Sequence, residues 1–422
     1  MLYDCWRQIA RAHPDEIALK DLAEGRAWTF AQLEAAVEHG ARPLQTVAFP
    51  QANSAEFIIA VLRAWQAGQV VCPLEPGQPA PALAGELPVG IVHLKTTSAT
   101  TGTPRLVAFT APQLMADAQN IVQTMGLRPD WPNLGLISLA HSYGFSNLVL
   151  PLLLHGIPLS LAGATLPEAL RRAATSESAV TLAAVPALWR TWQDADAIPP
   201  NVRLAISAGA PLPLALEQSV FAKQNLKIHN FYGSSECGGI AYDATDRPRA
   251  DAARAGAPLS NVSVSVAEDG CLEVRSRAVA QGYWPDPNPA LRDGVFRTSD
   301  LGEICGGLVY VRGRASDQIN VAGRKVAPEA IERVLAAHPD VRECLAFGIP
   351  SADPHRGETI VACVAGELQG RSESLKQFAM TKLAPWQVPR EWWFVDSLAV
   401  NHRGKLSRAQ WRMRYLEQTA KR

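Results

Sequence analysis

The chain lacks an excess of charge of either sign: 40 Lys and Arg stand against 40 Asp and Glu over 422 residues. Nucleic-acid binders carry a basic surplus on at least one domain, so that class is set aside. The N-terminus, MLYDCWRQIARAHPDEIALKD, is interrupted by charges every few residues and reads as neither a signal peptide nor an anchor. The longest apolar run, Leu148 to Leu166, contains Pro151, His155 and Pro158. It divides into a helix and a strand, and no membrane span is expected. Seven cysteines are scattered without CxxC or metal-finger spacing, which predicts buried or partly buried free thiols in a reducing cytosol. There is no GxxxxGK[ST] phosphate loop, and no Ser/His/Asp or Cys/His nucleophile set is visible.

What is present is an ordinary globular composition, 47% hydrophobic and 19% charged, with ample core for two or three domains. The first three hundred residues alternate helical and strand-like runs, which predicts an α/β architecture. Ala55–Gln66 has helical apolar spacing, Val202–Ser207 reads as a strand before a helix over Leu214–Gln224, and Lys227–Phe231 as a strand running into a loop at Tyr232–Glu236. Beyond Gly313 the pattern changes, with Pro328 opening a helix and strands expected at Val341–Phe347 and Glu358–Val364. The division expected is a large domain over 1–313, a hinge at 314–317 and a small mobile α+β domain over 318–422.

Three segments carry residue types suited to nucleotide chemistry. Thr97 to Arg105, TSATTGTPR, surrounds a glycine with hydroxyls and ends in a cation, so backbone and side-chain donors can meet a polyphosphate. Alone, such a run is more often a solvated turn. Tyr232-Gly233-Ser234-Ser235-Glu236 offers a ring for a purine and a carboxylate for a hard cation such as Mg²⁺, or is an ordinary surface turn. In Phe296–Gly302, FRTSDLG, Asp300 can accept both hydroxyls of a ribose, or can cap a turn.

Their order and company resemble the adenylate-forming superfamily, which includes acyl- and aryl-CoA synthetases, firefly luciferase and nonribosomal peptide adenylation domains. TSATTGTPR is similar to its [ST][ST]GTTGxPK, YGSSE to YGxTE and FRTSDLG to [YFW]xTGDLG. GRASDQINVAGRKVAPEAIE is similar to GRxDDQIKxxGxRIxPxEIE, and Asn401-His402-Arg403-Gly404-Lys405 to its closing GK. Softer matches are AWQAGQVVCPLEP, HSYGFSNLVLPLLLHG, ISAGAPLP and LAPWQVP, so the resemblance runs from about residue 50 to 408.

The resemblance implies roles. Thr97, Ser98, Thr100, Thr101, Gly102 and Arg105 would hold the β- and γ-phosphates of ATP. Tyr232 would stack on adenine beside Gly233 and Ser235, with Asn230 at its amino edge. Glu236 would bind Mg²⁺, Asp300 and Arg314 the ribose, and Lys405 the reacting carboxylate and α-phosphate. Ser316 and Asp317 would form the hinge about which the small domain turns. Gly323 would border the tunnel for CoA or for a carrier protein's phosphopantetheine. His141, Ser142, Tyr143, Gly209, Cys237 and Gly238 would line the acid pocket. No acid follows the central aromatic segment Ala140–Phe145, which argues against α-amino acids, and His141 with Tyr143 resembles the pair in aryl-acid enzymes.

The expected reaction is activation of an aryl or acyl acid to its adenylate, followed by transfer to a thiol. CoA is the first-choice acceptor and a carrier protein the alternative; a non-catalytic nucleotide-binding relative is the remaining reading. Monomer and homodimer both stay open. Departures from the family pattern are Ala99 for glycine, Arg105 for lysine, Ser235 for threonine, Ser299 for glycine, Ser316 at the hinge and Lys325 for arginine.

Overall fold

The computed structural model of the chain describes residues 1–38, 46–83, 85–97, 105–351, 353, 357–366, 372–398 and 407–420. Among these, a continuous sheet of 14 strands runs through a large N-terminal domain. Its middle is parallel: Ile228–Ser234, Val202–Ser207, Val180–Ala184, Asn133–Gly135, Leu159–Leu161 and Ile17–Asp21 lie side by side. All five residues of Val180–Ala184 are buried, as expected of a strand covered on both faces. Leu182 and Ala184 belong to the core beneath the helices Pro186–Asp194 and Leu214–Gln224, whereas Ala183 joins the core on the other face with Ile58, Leu114 and Phe145.

The sheet continues in antiparallel strands, among them Gly238–Tyr242, Leu308–Arg314 and Val295–Cys305. A second sheet of five strands contains Gly282–Trp284, Leu106–Thr110 and Ile91–Thr96 in that order. The smaller C-terminal domain has its own core, built on Ile331, Leu335, Ala362 and Leu375. Its hairpin Ile319–Val321/Arg324–Val326 and its sheet Val341–Pro350, Glu358–Gly366, Glu391–Val395 are flanked by the helices Pro328–Leu335, Ser372–Met380 and Arg408–Ala420. Arg190 of the large domain pairs with Glu343 of the small one at 3.1 Å.

The helices Ala55–Gln66 and Leu214–Gln224 and the strand Val202–Ser207 fall where the apolar spacing places them. Two expectations change. The strand beginning at Ile228 does not stop before Tyr232 but runs through Ser234, pairing with Gly238–Tyr242. Glycines permit that close approach: a Cβ on Gly233 would lie 2.7 Å from the Gly238 carbonyl oxygen. Phe296–Gly302 lies within the strand Val295–Cys305. Cys305 is exposed, at the end of that strand before the Gly306-Gly307 turn, and is not the partly buried thiol expected. Among the described residues, no helix is long and apolar enough to cross a membrane.

Candidate active site

Parallel strands place ligand loops at their C-terminal ends, and three such ends converge here. Ser207, the last residue of its strand, sits opposite Ala184 on one side and Asn230 on the other. Gly209 follows with φ +85°, a conformation that suits glycine, and a Cβ there would press on Val185 at 3.3 Å. Asn230 is nearly buried; its carbonyl accepts from the Asp243 amide and its Nδ2 donates to the Arg254 carbonyl at 3.4 Å.

Two residues beyond Asn230, the Tyr232 hydroxyl donates to Asp300 Oδ2 at 2.6 Å. Arg314 Nε donates to Asp300 Oδ1 at 3.1 Å, across an antiparallel pairing that sets Asp300 directly opposite Arg314. The Asp300 backbone is fixed in turn by Thr298, whose hydroxyl accepts from the Asp300 amide at 3.0 Å and donates to the Leu272 carbonyl at 2.9 Å. Burial, then the Asp300 charge, pushes the Tyr232 phenol well above its ordinary value, so it stays a donor. Tyr232, Asp300 and Arg314 therefore form one connected group, which joins three residues the sequence named separately.

The second pole is built around Glu236. Thr97 and Arg105 staple the mouth of the candidate phosphate loop: the Thr97 amide donates to the Arg105 carbonyl at 2.9 Å and the Arg105 amide to Thr97 Oγ1 at 3.1 Å. Ser98, Thr100, Thr101 and Gly102, within the loop, lie outside the described residues, as does Lys405. The Arg105 guanidinium sits 5.5 Å from the centre of the Tyr283 ring, and the Tyr283 hydroxyl donates to Glu236 Oε1 at 3.0 Å. Tyr283 reaches this place because Gly282–Trp284 pairs with Leu106–Thr110, the strand leaving the loop. Sequence reasoning missed Tyr283, whose place at Glu236 depends on that long-range strand pairing. Ser234 Oγ accepts from the Glu236 amide at 3.2 Å and lies 3.3 Å from Cys237 Sγ. Ser235, between them, is partly exposed. Burial raises the Cys237 thiol far above its ordinary value, so it stays protonated and is poorly suited to act as a nucleophile.

The candidate acid pocket is more heterogeneous. His141 Nε2 lies 3.1 Å from Glu75 Oε1, and the Ser138 hydroxyl donates to the same oxygen. Glu75, within the PLEP segment, was assigned no role from sequence. Ser142 opens a short helix, Ser142–Gly144, that passes into a π-helical turn, Phe145–Val149; such turns gather at functional sites. Tyr143 is committed to the fold: its hydroxyl donates to the Ile206 carbonyl at 3.4 Å and its ring packs on Phe231. Gly238, φ +70°, leaves no room for a side chain, since a Cβ would lie 1.9 Å from Asp117 Oδ1. That carboxylate accepts from the Gly239 amide at 3.2 Å and from Ser146 Oγ at 2.6 Å, and Lys95 Nζ donates to the same Ser146 oxygen at 3.2 Å. Lys95, Asp117 and Ser146 went unremarked in the sequence.

In the small domain, Ser316 donates to Asp317 Oδ1 at 3.1 Å, and Asp317 Oδ2 pairs with Arg408 at 2.7 Å. Arg408 also reaches Glu332 at 2.9 Å and Glu329 at 2.8 Å. Gly323 is exposed at the tip of a two-residue hairpin turn in which both Ala322 and Gly323 have positive φ.

Comparison with known proteins identifies the family. Residues 91–284 match the family model of AMP-binding enzymes, and residues 330–405 match that of the AMP-binding enzyme C-terminal domain. A probable 2-succinylbenzoate–CoA ligase of Mycobacterium tuberculosis is 29% identical over 78% of this chain and 87% of its own length. A feruloyl-CoA synthase of an Amycolatopsis species is 28% identical over 78% of this chain and 72% of its own length. An uncharacterised acyl–CoA ligase of Bacillus subtilis is 30% identical, but this chain spans only 50% of it. Among solved structures, the ATP-bound MatB of Rhodopseudomonas palustris shares the fold, with a TM-score of 0.85 and 22% identity over 98% of this chain and 99% of that one. The chain is a member of the adenylate-forming superfamily of AMP-binding enzymes.

Proposed function

We propose that the chain is an AMP-forming acid–thiol ligase that activates an aryl or acyl carboxylic acid and passes it to CoA. The observation that carries this reading is the single segment Tyr232–Glu236, whose first residue joins the Asp300–Arg314 group and whose last joins the Tyr283–Arg105 group. One nucleotide can span both, with adenosine at one end and phosphates at the other.

At the adenosine end, ribose hydroxyls would compete with Tyr232 for Asp300, freeing the ring to lie along the purine. Since Asn230 Nδ2 is committed to Arg254, its carboxamide oxygen is the atom suited to an amino edge. Among the described residues, no group of three or more His, Cys, Asp or Glu could hold a metal unaided. Glu236 therefore fits a cation shared with substrate phosphates, the usual manner of Mg²⁺. When bound, that ion would neutralise charge developing on the phosphates. Tyr283 fixes the Glu236 carboxylate for this purpose, and Arg105 adds a planar cation at the loop exit.

In the reaction, a carboxylate oxygen attacks the α-phosphorus, the bond to the β-phosphate oxygen breaks, and pyrophosphate leaves. A thiolate then attacks the acyl carbon of the mixed anhydride, and AMP departs with the carboxylate oxygen. Lys405 is the cation we assign to the first step, and rotation about Ser316-Asp317 would bring Gly323 to the second. A carrier-protein thiol would serve the same step.

The test is pyrophosphate release with ATP and Mg²⁺ across aryl, short-, medium- and long-chain acids, each with and without CoA. Acid-dependent release that becomes multi-turnover with CoA is the expected result. Release that stalls near one turnover and ignores CoA would redirect the acceptor to a carrier protein, and no release with any acid would overturn the reading. Lys405→Ala should lose adenylation yet still transfer from supplied acyl-adenylate; equal loss of both halves would remove Lys405 from its role.

A further inference from the structure

Behind the candidate acid pocket the fold buries polar groups that, among the described residues, are short of partners. Lys95 and His93 are two residues apart on Ile91–Thr96, so both leave the same face of the strand. His93 is fully buried against Phe145, centroids 4.3 Å apart, and neither ring nitrogen has a partner among the described residues. Lys95 is 4% exposed. Its ammonium has three protons, and among the described residues it makes one hydrogen bond, to Ser146, with Asp117 at 3.8 Å and the Phe109 ring beneath it at 4.5 Å. Buried polar groups in folded proteins are nearly always paired, and a local shortfall calls for a ligand or a water.

The position of Lys95 favours a ligand. Ser146 is one helical turn beyond Ser142, and Asp117 holds the Gly238–Gly239 backbone, so both partners of Lys95 belong to the back of the candidate pocket walls. Lys95 also stands two residues before Thr97, where the candidate phosphate loop begins. One ammonium thus stands at the end of the strand Ile91–Thr96, against Ser146 beyond the Ser142 helix and Asp117, which holds the start of the strand Gly238–Tyr242.

We propose that Lys95 is a specificity residue: its ammonium, held by Ser146 and Asp117, donates to a neutral oxygen on the part of the acid remote from the reacting carboxylate. The oxygen is that of a hydroxyl, carbonyl or ether. This inference rests on the ligase reading above. Asp117 already balances the ammonium, so a second carboxylate would bring an uncompensated charge into a closed site, whereas a neutral acceptor completes the donors and adds no charge. A site that hydrogen-bonds a substrate oxygen rejects the analogue lacking it far more strongly than an apolar pocket rejects an added group.

The experiment uses the full chain and pairs of acids that differ only in that oxygen. Hydroxy- and methoxybenzoates are set against methyl- and ethylbenzoates, and hydroxy- and oxo-alkanoates against alkanoates of equal length. ATP–pyrophosphate exchange gives kcat/KM for each, and the quantity read is the ratio within a pair, from which any general loss of activity cancels. The wild type should favour the oxygenated member of at least one pair by about tenfold or more, and Lys95→Met should bring that ratio to near one or invert it. Ser146→Ala, a smaller change that removes the support of the ammonium, should reduce the ratio in the same direction and serves where Lys95→Met does not fold. A wild type that turns over acids with no oxygen preference, the result expected if a water satisfies Lys95, overturns the inference while leaving the ligase reading intact. A preference that survives both substitutions also overturns it. A wild type silent with every acid contradicts the ligase reading itself, and the inference falls with it.

Discussion

Two buried charge clusters in the large domain differ in one respect. In the first, Glu217 is fully buried and accepts from Lys227, from the Arg249 amide at 3.0 Å and from Arg249 Nε at 2.9 Å. Asp243 accepts from Lys227 at 2.8 Å, Arg254 at 3.0 Å and Thr245 at 2.9 Å, and Arg249 spends its other donors on the carbonyls of Leu212 and Arg254. In the second, Lys95 makes one hydrogen bond and His93 none among the described residues. The first cluster ties the helix Leu214–Gln224 to the loop before Arg254; among the described residues both its carboxylates and Lys227 are engaged, and Arg254 Nε is left without a partner. The second lies behind the candidate pocket and, among the described residues, is incomplete. Under the proposal above, substrate completes the second set, whereas the first acts within the fold.

That contrast sets what substitutions should do. Glu217→Ala leaves Lys227 and Arg249 buried without their shared acceptor and should lower unfolding free energy by about 3–5 kcal/mol, measured by denaturant titration; a loss below about 1 kcal/mol would deny the cluster its structural role. Glu236→Gln, at the site, should leave that titration unchanged but slow pyrophosphate release by about a hundredfold and raise the Mg²⁺ needed for half-maximal rate. Equal rates at equal Mg²⁺ would remove Glu236 from the metal.

His93 gives a pH signature. Burial, and then the Lys95 charge, holds its pKa well below the ordinary 6.5 in the folded chain. The unfolded chain therefore binds more protons below that pH, and the stability present above pH 6.5 is lost as pH falls, by up to about 1.4 kcal/mol per unit. His93→Phe should flatten part of that slope in stability measured from pH 7 to 5. His155 and His229, also lowered by burial, would keep the remainder; an unchanged slope would contradict the assignment. The smallest effect is expected of Lys95→Met combined with Asp117→Asn, which removes both charges of an unsaturated pair and should stay within about 1 kcal/mol of wild-type stability.

Much of this was legible in the sequence, for identifiable reasons. The helix Ala55–Gln66 and the strand Val202–Ser207 declare themselves by period, and the candidate nucleotide residues by short local motifs such as YGSSE and FRTSDLG. Tyr232, Asp300 and Arg314 were each nameable, and the structure adds that they bond to one another. Residues whose roles come only from long-range pairing were not legible. Tyr283 reaches Glu236 because two strands far apart in sequence pair, and Lys95 meets Asp117 and Ser146 across three elements. Tyr232 was placed in a loop because its strand is prolonged by glycine-on-glycine pairing, which carries no β propensity.

The adenylation chemistry can be read from one isotope. With the acid labelled with ¹⁸O in its carboxylate, a single turnover in the presence of ATP, Mg²⁺ and CoA is analysed by mass spectrometry. If the carboxylate oxygen attacks the α-phosphorus, AMP must emerge carrying one labelled oxygen and pyrophosphate none. Label in phosphate together with ADP, or AMP without label, would mean that the acid is not activated as its adenylate, and would contradict the ligase mechanism at its first step.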